Sequence, residues 1–194
     1  RLPFQAVNLR AVDLKVIKIY SDNVLHFLQE NSLGGDNGLR RSGRLIYRKK
    51  LSLDRNPQTD LHQWQNFSVD LSGLMKREPG AVYRISLSFV QDYSVYSKDY
   101  VTLASEDESL TKLAEGEMTA ADEAEWDIPD SYYYDNYYDW SLYEWEERDN
   151  PQNPTYYMQS SRFPSVNLMA SNIGVVAKSA GNGKMWVYVN DILS

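Results

Sequence analysis

The chain has no cysteine among its 194 residues. That excludes disulfides, thiolate metal sites, a cysteine nucleophile and an internal thioester, and it leaves the redox compartment open. Histidine is nearly absent as well: His26 and His62 are the whole complement. Neither stands at an informative spacing from a serine or an acid, and both read as structural or surface residues. No Gly-x-Ser-x-Gly, phosphate loop, dinucleotide glycine motif or His-Glu-x-x-His occurs. The expectation is a chain that is not an enzyme and takes no cofactor and no metal. Long apolar runs are also missing. No stretch approaches the ~20 residues a membrane helix needs, so direct membrane insertion is not expected.

What is present is a division of charge. The net charge is −7, but residues 105–149 hold sixteen Asp and Glu against only Lys112 and Arg148, a balance of −14. The remainder carries +7. A basic body therefore bears a strongly acidic segment, and the overall acidity argues against nucleic acid as a partner. That segment also holds Trp126, Tyr132, Tyr133, Tyr134, Tyr137, Tyr138, Trp140, Tyr143 and Trp145. Acidity without aromatics reads as a solvated tail. Acidity with so many rings reads as a strap that lies on something, and the basic body is the nearest candidate.

The dominant rhythm is period two. Leu45, Tyr47, Leu51 and Leu53 share one parity, with Arg48, Lys50 and Ser52 on the other. Phe67, Val69 and Leu71 alternate with Ser68, Asp70 and Ser72. Tyr83, Ile85, Leu87 and Phe89 alternate with Arg84, Ser86 and Ser88. Each predicts a strand with one buried face. Val12–Tyr20, rich in β-branched residues, predicts a more central strand. Asn172–Lys178 and Lys184–Asp191 predict two more, joined at Ala180–Gly183 by a hairpin turn. Asp22–Gln29 predicts a short helix capped by Asp22, with Leu25 and Leu28 pointing one way. Glycine-rich Leu33–Gly43 reads as a loop. Ser109–Glu125 is either helical or disordered, and the Asn-Pro pairs at 150–151 and 153–154 mark turns. The sum is an all-β antiparallel sandwich of immunoglobulin/fibronectin-like type, one domain over 1–194, with the acidic, aromatic-rich residues 105–160 inserted late.

An ordered series of motifs resembles a known family. Leu9–Tyr20, then Asp60-Leu61-His62-Gln63-Trp64, Asp70-Leu71-Ser72-Gly73-Leu74 and Pro79–Arg84 look like a macroglobulin-type domain. Ala170–Lys178 resembles the S-[DN]-[IL]-G-x-x-[AV]-K run of bacterial alpha-2-macroglobulins, which precedes a strand ending in V-x-D-[IL], as in Val189-Asn190-Asp191-Ile192. Tyr132–Trp145 and Glu147–Pro151 also look like the cell-envelope alpha-2-macroglobulin-like proteins of Bacteroides-type bacteria. The resemblance implies tandem seven-stranded sandwiches within an exported protein of the periplasm or the outer-membrane surface, a lipoprotein in full length, that traps proteases. Without cysteine this chain cannot hold that family's thioester and would be a scaffold piece. Its partners would be other domains of the same polypeptide, with proteases met through the full-length protein. Arg1–Phe4 reads as mid-protein and carries no signal peptide, and Ile192–Ser194 breaks off after a strand-like run. Residues 171–194 either complete the present sandwich, the preferred reading, or open a following domain.

Two surfaces are candidates for contact. The rings Tyr137, Tyr138, Trp140, Tyr143 and Trp145 form a candidate interaction surface. They either pack on the body and pin the segment, meet another domain, or present a flat face to sugar, which makes a carbohydrate-binding module the rival function. Arg40, Arg41, Arg44, Arg48 and Lys50 form a candidate basic docking face for the segment. Asp130, Asp135 and Asp139 lack the spacing of a calcium loop, and the many acids of 127–149 predict no particular catalytic pair.

Overall fold

A computed structural model of the chain describes residues 1–75, 78–97, 141, 143–169 and 171–192. The described strands are β1 (Leu2–Ala6), β2 (Ala11–Ile19), β3 (Gly43–Ser52), β4 (Gln65–Val69), β5 (Val82–Ser88), β6 (Ser165–Met169), β7 (Ile173–Ser179) and β8 (Met185–Asp191). Every pairing among them is antiparallel. The helices are short: α1 (Val24–Glu30), α2 (Leu39–Ser42) and α3 (Ser72–Met75). Over the described residues the protein is all-β with little helix. None of the described helices is long and apolar enough to cross a membrane. The helical candidate Ser109–Glu125, the aromatic residues from Trp126 to Trp140 and the acids Asp130, Asp135 and Asp139 lie outside the described residues.

The central sheet runs β3-β2-β5-β6, and β1 pairs with β4 in a second, two-stranded sheet. β2 is central, paired on both edges, and seven of its nine residues are buried, six of them apolar and the seventh Lys18. Its even-numbered residues Val12, Leu14 and Val16 face a core completed by Tyr47, Leu51, Tyr83, Ile85 and Leu87, and Ala6 and Val69 close it from the two-stranded sheet. At the other end of β2 the opposite face becomes apolar. Ile17 and Ile19, with Leu45 and Val82, meet Val24 and Phe27 of α1 and Leu39 of α2. Burial of these two faces, at about 25 cal/mol per Å² of apolar surface, is the main stabilising term.

Several expectations are corrected. Leu45 does not share a face with Tyr47 and Leu51. The β2–β3 register shifts between Val16 and Ile17, where Tyr47 and Leu45 are the successive partners and Ile46 is the extra residue. Such a bulge inverts the parity beyond it, so Leu45 joins the helix-covered cluster. In α1 the buried pair is Val24 and Phe27, while Leu25 is 79% exposed. Asn23, not Asp22, occupies the cap position, and it makes no side-chain cap hydrogen bond. The loop at 33–43 contains α2. Strands β1, β6 and helix α3 had no clear signal in the sequence.

The Pro79-Gly80 turn into β5 depends on Gly80, whose φ of 85° is the left-handed conformation that glycine adopts without steric cost. The turn between β7 and β8 has Gly183 at φ 75°, as its sequence suggests. Among the described residues, β7 and β8 pair only with each other, as a separate two-stranded sheet.

Candidate interaction site

The chain on either side of residues 98–140 meets beside the end of β5. On the upstream side, a 3-10 turn at Gln91–Tyr93 is tied to the residues preceding β2. The Arg10 amide donates to Tyr93 O at 2.7 Å and the Val95 amide to Asn8 O at 3.0 Å. The Arg10 guanidinium donates to Val95 O at 3.3 Å.

On the downstream side, Asn153 caps the 3-10 helix Pro154–Met158, its side chain accepting the Thr155 amide at 2.8 Å. Proline is suited to that first turn because its missing N–H would have no helical partner. Thr155 Oγ1 accepts the Glu144 amide at 3.0 Å, and the Tyr157 hydroxyl donates to Pro151 O at 2.8 Å. Thr155, Tyr157 and Met158 are buried. Phe89, just past β5, meets the edges of Tyr157 and Phe163 at ring-centroid distances of 5.9 and 5.2 Å. Gln91 Nε2 joins the two sides by donating to Gln152 O at 2.9 Å. Burial raises the Tyr157 hydroxyl pKa, against a hydrogen bond with Ser94.

The rings that seat this region are therefore Tyr157 and Phe163, neither of which stood out in the sequence. Of the aromatic candidates, Tyr137, Tyr138 and Trp140 lie outside the described residues, and Tyr143 is half-buried. Trp145 is 67% exposed, with the Arg148 guanidinium 4.5 Å from its ring centroid. It does not pack on the body. Asp149 pairs with Arg162 at 2.7 Å and with Arg148 at 3.6 Å, and Arg162 lies 4.0 Å over Tyr156. These exposed pairs each contribute about 0–1 kcal/mol; they order the loop more than they stabilise the fold.

The basic candidates do not share one face. Arg40 and Arg41 sit on α2. The register sets Arg48 opposite Lys15 and Lys50 opposite Asp13, but Arg44 opposite Lys18, whose side chain projects from the other face of β2. The half of the sheet that bears Arg48 and Lys50 instead surrounds an acid. The Tyr93 hydroxyl lies 3.1 Å from both carboxylate oxygens of Asp13, and Lys50 Nζ lies 4.4 Å from the Tyr93 ring centroid. Burial raises the Asp13 pKa above its ordinary 3.8, outweighing the Tyr93 hydroxyl, Arg48, Lys15 and Lys50, which all lower it.

A carboxyl raised in the folded state favours folding in its protonated form. Its stabilising contribution is complete below the unfolded value of 3.8 and is lost as pH rises through the folded value. Asp13→Asn keeps an acceptor for Tyr93 and removes the charge. Its unfolding free energy at pH 7 should match or exceed that of wild type, with the gain vanishing at pH 3. Urea denaturation at both pH values measures this; a clear loss at pH 7 would show that pairing with the three cations outweighs burial.

Among the described residues no three His, Cys, Asp or Glu side chains gather as metal ligands. His26 and His62 are both exposed. Comparison of the chain with family models, characterised proteins and solved structures finds no match.

Proposed function

We propose that this chain is a non-catalytic scaffold and interaction module of a larger exported envelope protein built from tandem β-units, of the alpha-2-macroglobulin-like kind its motifs resemble. On this reading the two core-sharing sheets are a macroglobulin-type, immunoglobulin-like sandwich, and residues 105–160 are its insertion. Residues 171–194 begin a following unit. The observation that carries the reading is the change of sheet after β6. That strand closes the edge of the central sheet at Met169, and β7 starts a separate sheet at Ile173. So short a connection between unshared sheets is the geometry of consecutive units with few crossing contacts.

Partners are then other domains of the same polypeptide, and proteases engaged by the full-length protein. The test is inhibition. The natural full-length polypeptide should slow an endopeptidase acting on casein while sparing its hydrolysis of a small chromogenic peptide. Equal rates on casein with and without the protein would end the inhibitor reading.

The exposure of Trp145 favours a second reading, a carbohydrate-binding module, since a wet indole flanked by Glu144 and Glu146 suits stacking against a sugar ring. Glycan-array binding that disappears in Trp145→Ala would select it.

A further inference from the structure

We infer that Asn182 is a self-modifying site: in the folded chain its side chain cyclises onto the Gly183 amide, releases ammonia, and opens to aspartate or isoaspartate. The site is independent of the scaffold reading. The sequence holds two Asn-Gly pairs, Asn37-Gly38 and Asn182-Gly183. Glycine after asparagine permits the reaction because no Cβ shields its nitrogen and its backbone is the least restricted. By sequence the two pairs are equivalent. The structure separates them.

The step balances with water alone. The Gly183 nitrogen loses its proton to solvent base and bonds to Asn182 Cγ. The Cγ–Nδ2 bond breaks, and Nδ2 takes up a proton and leaves as ammonia. Water then opens the cyclic imide at either carbonyl. One product is aspartate, and the other routes the main chain through the side chain. The fold controls the first bond, because the Asn–Gly peptide must rotate to bring the glycine nitrogen onto Cγ.

At Asn37 that peptide is clamped. The Asn31 side chain brackets it: Oδ1 accepts the Asn37 amide at 2.8 Å, and Nδ2 donates to Asn37 O at 2.9 Å. Gly38 O accepts the Arg41 amide at 3.0 Å at the start of α2, and Leu39, next in the chain, is buried. At Asn182 the peptide is held by the Gly183 amide, which donates to Ala180 O at 3.2 Å, the long end of the range. Asn182 and Gly183 are exposed, and no atom beyond their chain neighbours comes within 4 Å of where a Cβ would sit on Gly181 or Gly183. The turn joins two strands that, among the described residues, pair only with each other. Such a hairpin is marginal and opens locally at low cost. Asn182 Oδ1 also accepts the Lys184 amide at 3.2 Å. That donor sits on the oxygen that turns anionic as Cγ becomes tetrahedral.

The product alters the turn that forms it. Isoaspartate adds a carbon to the main chain between Ala180 and Lys184, whose amide and carbonyl close the loop at 2.8 Å.

Ageing the 194-residue chain in neutral buffer, followed by tryptic peptide mapping with mass spectrometry, tests this. The peptides 179–184 and 19–40 report the two sites. Conversion at Asn182 should exceed that at Asn37 by on the order of tenfold, the factor set by one or two hydrogen bonds that must break first. In urea the two sites should convert at like rates. Asn31→Ala should speed conversion at Asn37 and leave Asn182 as it was. Equal conversion at the two sites in the folded chain would overturn the inference, as would faster conversion at Asn37. An Asn182 that remains an amide when folded, while the urea-unfolded chain converts, would overturn it too. If Asn37 stays as slow in Asn31→Ala as in wild type, the clamp does not set the contrast and the structural assignment fails.

Discussion

Phe27→Ala is expected to lower the unfolding free energy by about 3–5 kcal/mol, the range for truncating a buried ring. Phe27 is 1% exposed and is the sole ring of the cluster it forms with Ile17, Ile19, Val24, Leu39, Leu45 and Val82. Those neighbours are fixed by β-pairing on one side, so they cannot collapse into the space. The helix that carries it has seven residues, too few to be stable in isolation. Its position depends on the apolar pair Val24 and Phe27. Secondary ties follow from that seating: Asn31 Nδ2 donates to Phe27 O at 3.0 Å and to Asn37 O at 2.9 Å, and Asn23 Nδ2 donates to Ser42 O at 3.0 Å. Removing the ring therefore loosens α1, α2 and the loop between them as well as leaving a cavity. Leu25→Ala, at the 79% exposed position, is the control and should stay within about 0.5 kcal/mol of wild type. Chemical denaturation of the three proteins decides the matter. Equal midpoints for Phe27→Ala and Leu25→Ala would mean that the helices do not seal this end of the sheet.

The contrast between those two residues shows what the sequence displays and what it hides. Strands with a clean period of two (β4, β5 and the outer part of β3) are visible because each apolar residue marks one face. β2 is visible through its β-branched density. The helix face is not, because Val24 and Phe27 on one side compete with Leu25 and Leu28 on the other, and only the sheet beneath decides between them. Leu45 is misassigned by parity since a bulge leaves no local mark. β1 includes Pro3 and β6 is only five residues with an asparagine in the middle. β6 is placed by distant groups: Arg84 Nη1 donates to Asn167 Oδ1 at 3.1 Å, and Asn167 Nδ2 to Leu33 O and Gly35 O, each at 2.8 Å. At the candidate site, the unlike charge of the segment is plain in composition, but the rings that seat its downstream end are not. Tyr157 and Phe163 lie beyond the acidic tract and are recruited by Phe89. Asp13 and Tyr93 are eighty residues apart, and strand alternation gives Asp13 only as one polar residue among several.

Lys18 is the sharper case, because alternation places a lysine on the core face of β2, and Glu78→Ala should expose the consequence with a loss of about 2–4 kcal/mol at pH 7. That is somewhat below the ~3–5 kcal/mol for breaking a fully buried pair, since Glu78 keeps some contact with water. The Lys18 side chain is 8% exposed and Glu78 23%, and Nζ lies 2.8 Å from Oε2. Glu78 Oε1 also accepts the Ser21 amide at 2.8 Å, and Lys18 Nζ lies 5.2 Å from the Tyr20 ring centroid. One carboxylate thus ties the end of β2 to the turn before β5. Removing it leaves an ammonium in a buried site without that counter-charge, and an amide without that acceptor. Burial pushes the Glu78 carboxyl up, but Lys18 and the Ser21 amide more than offset it, so its pKa falls below the ordinary 4.5. A group lowered in the folded state stabilises above its unfolded pKa and loses that contribution as pH drops through the folded value. The gap between wild type and Glu78→Gln should accordingly be open at pH 7 and close on acidification below 4.5. Adding Lys18→Met to Glu78→Ala removes the stranded charge and should recover most of the loss, because replacing both partners of a buried pair by apolar groups is often neutral. If the double variant is no more stable than Glu78→Ala by chemical denaturation, the cost comes from the lost acceptor for Ser21 rather than from the buried ammonium.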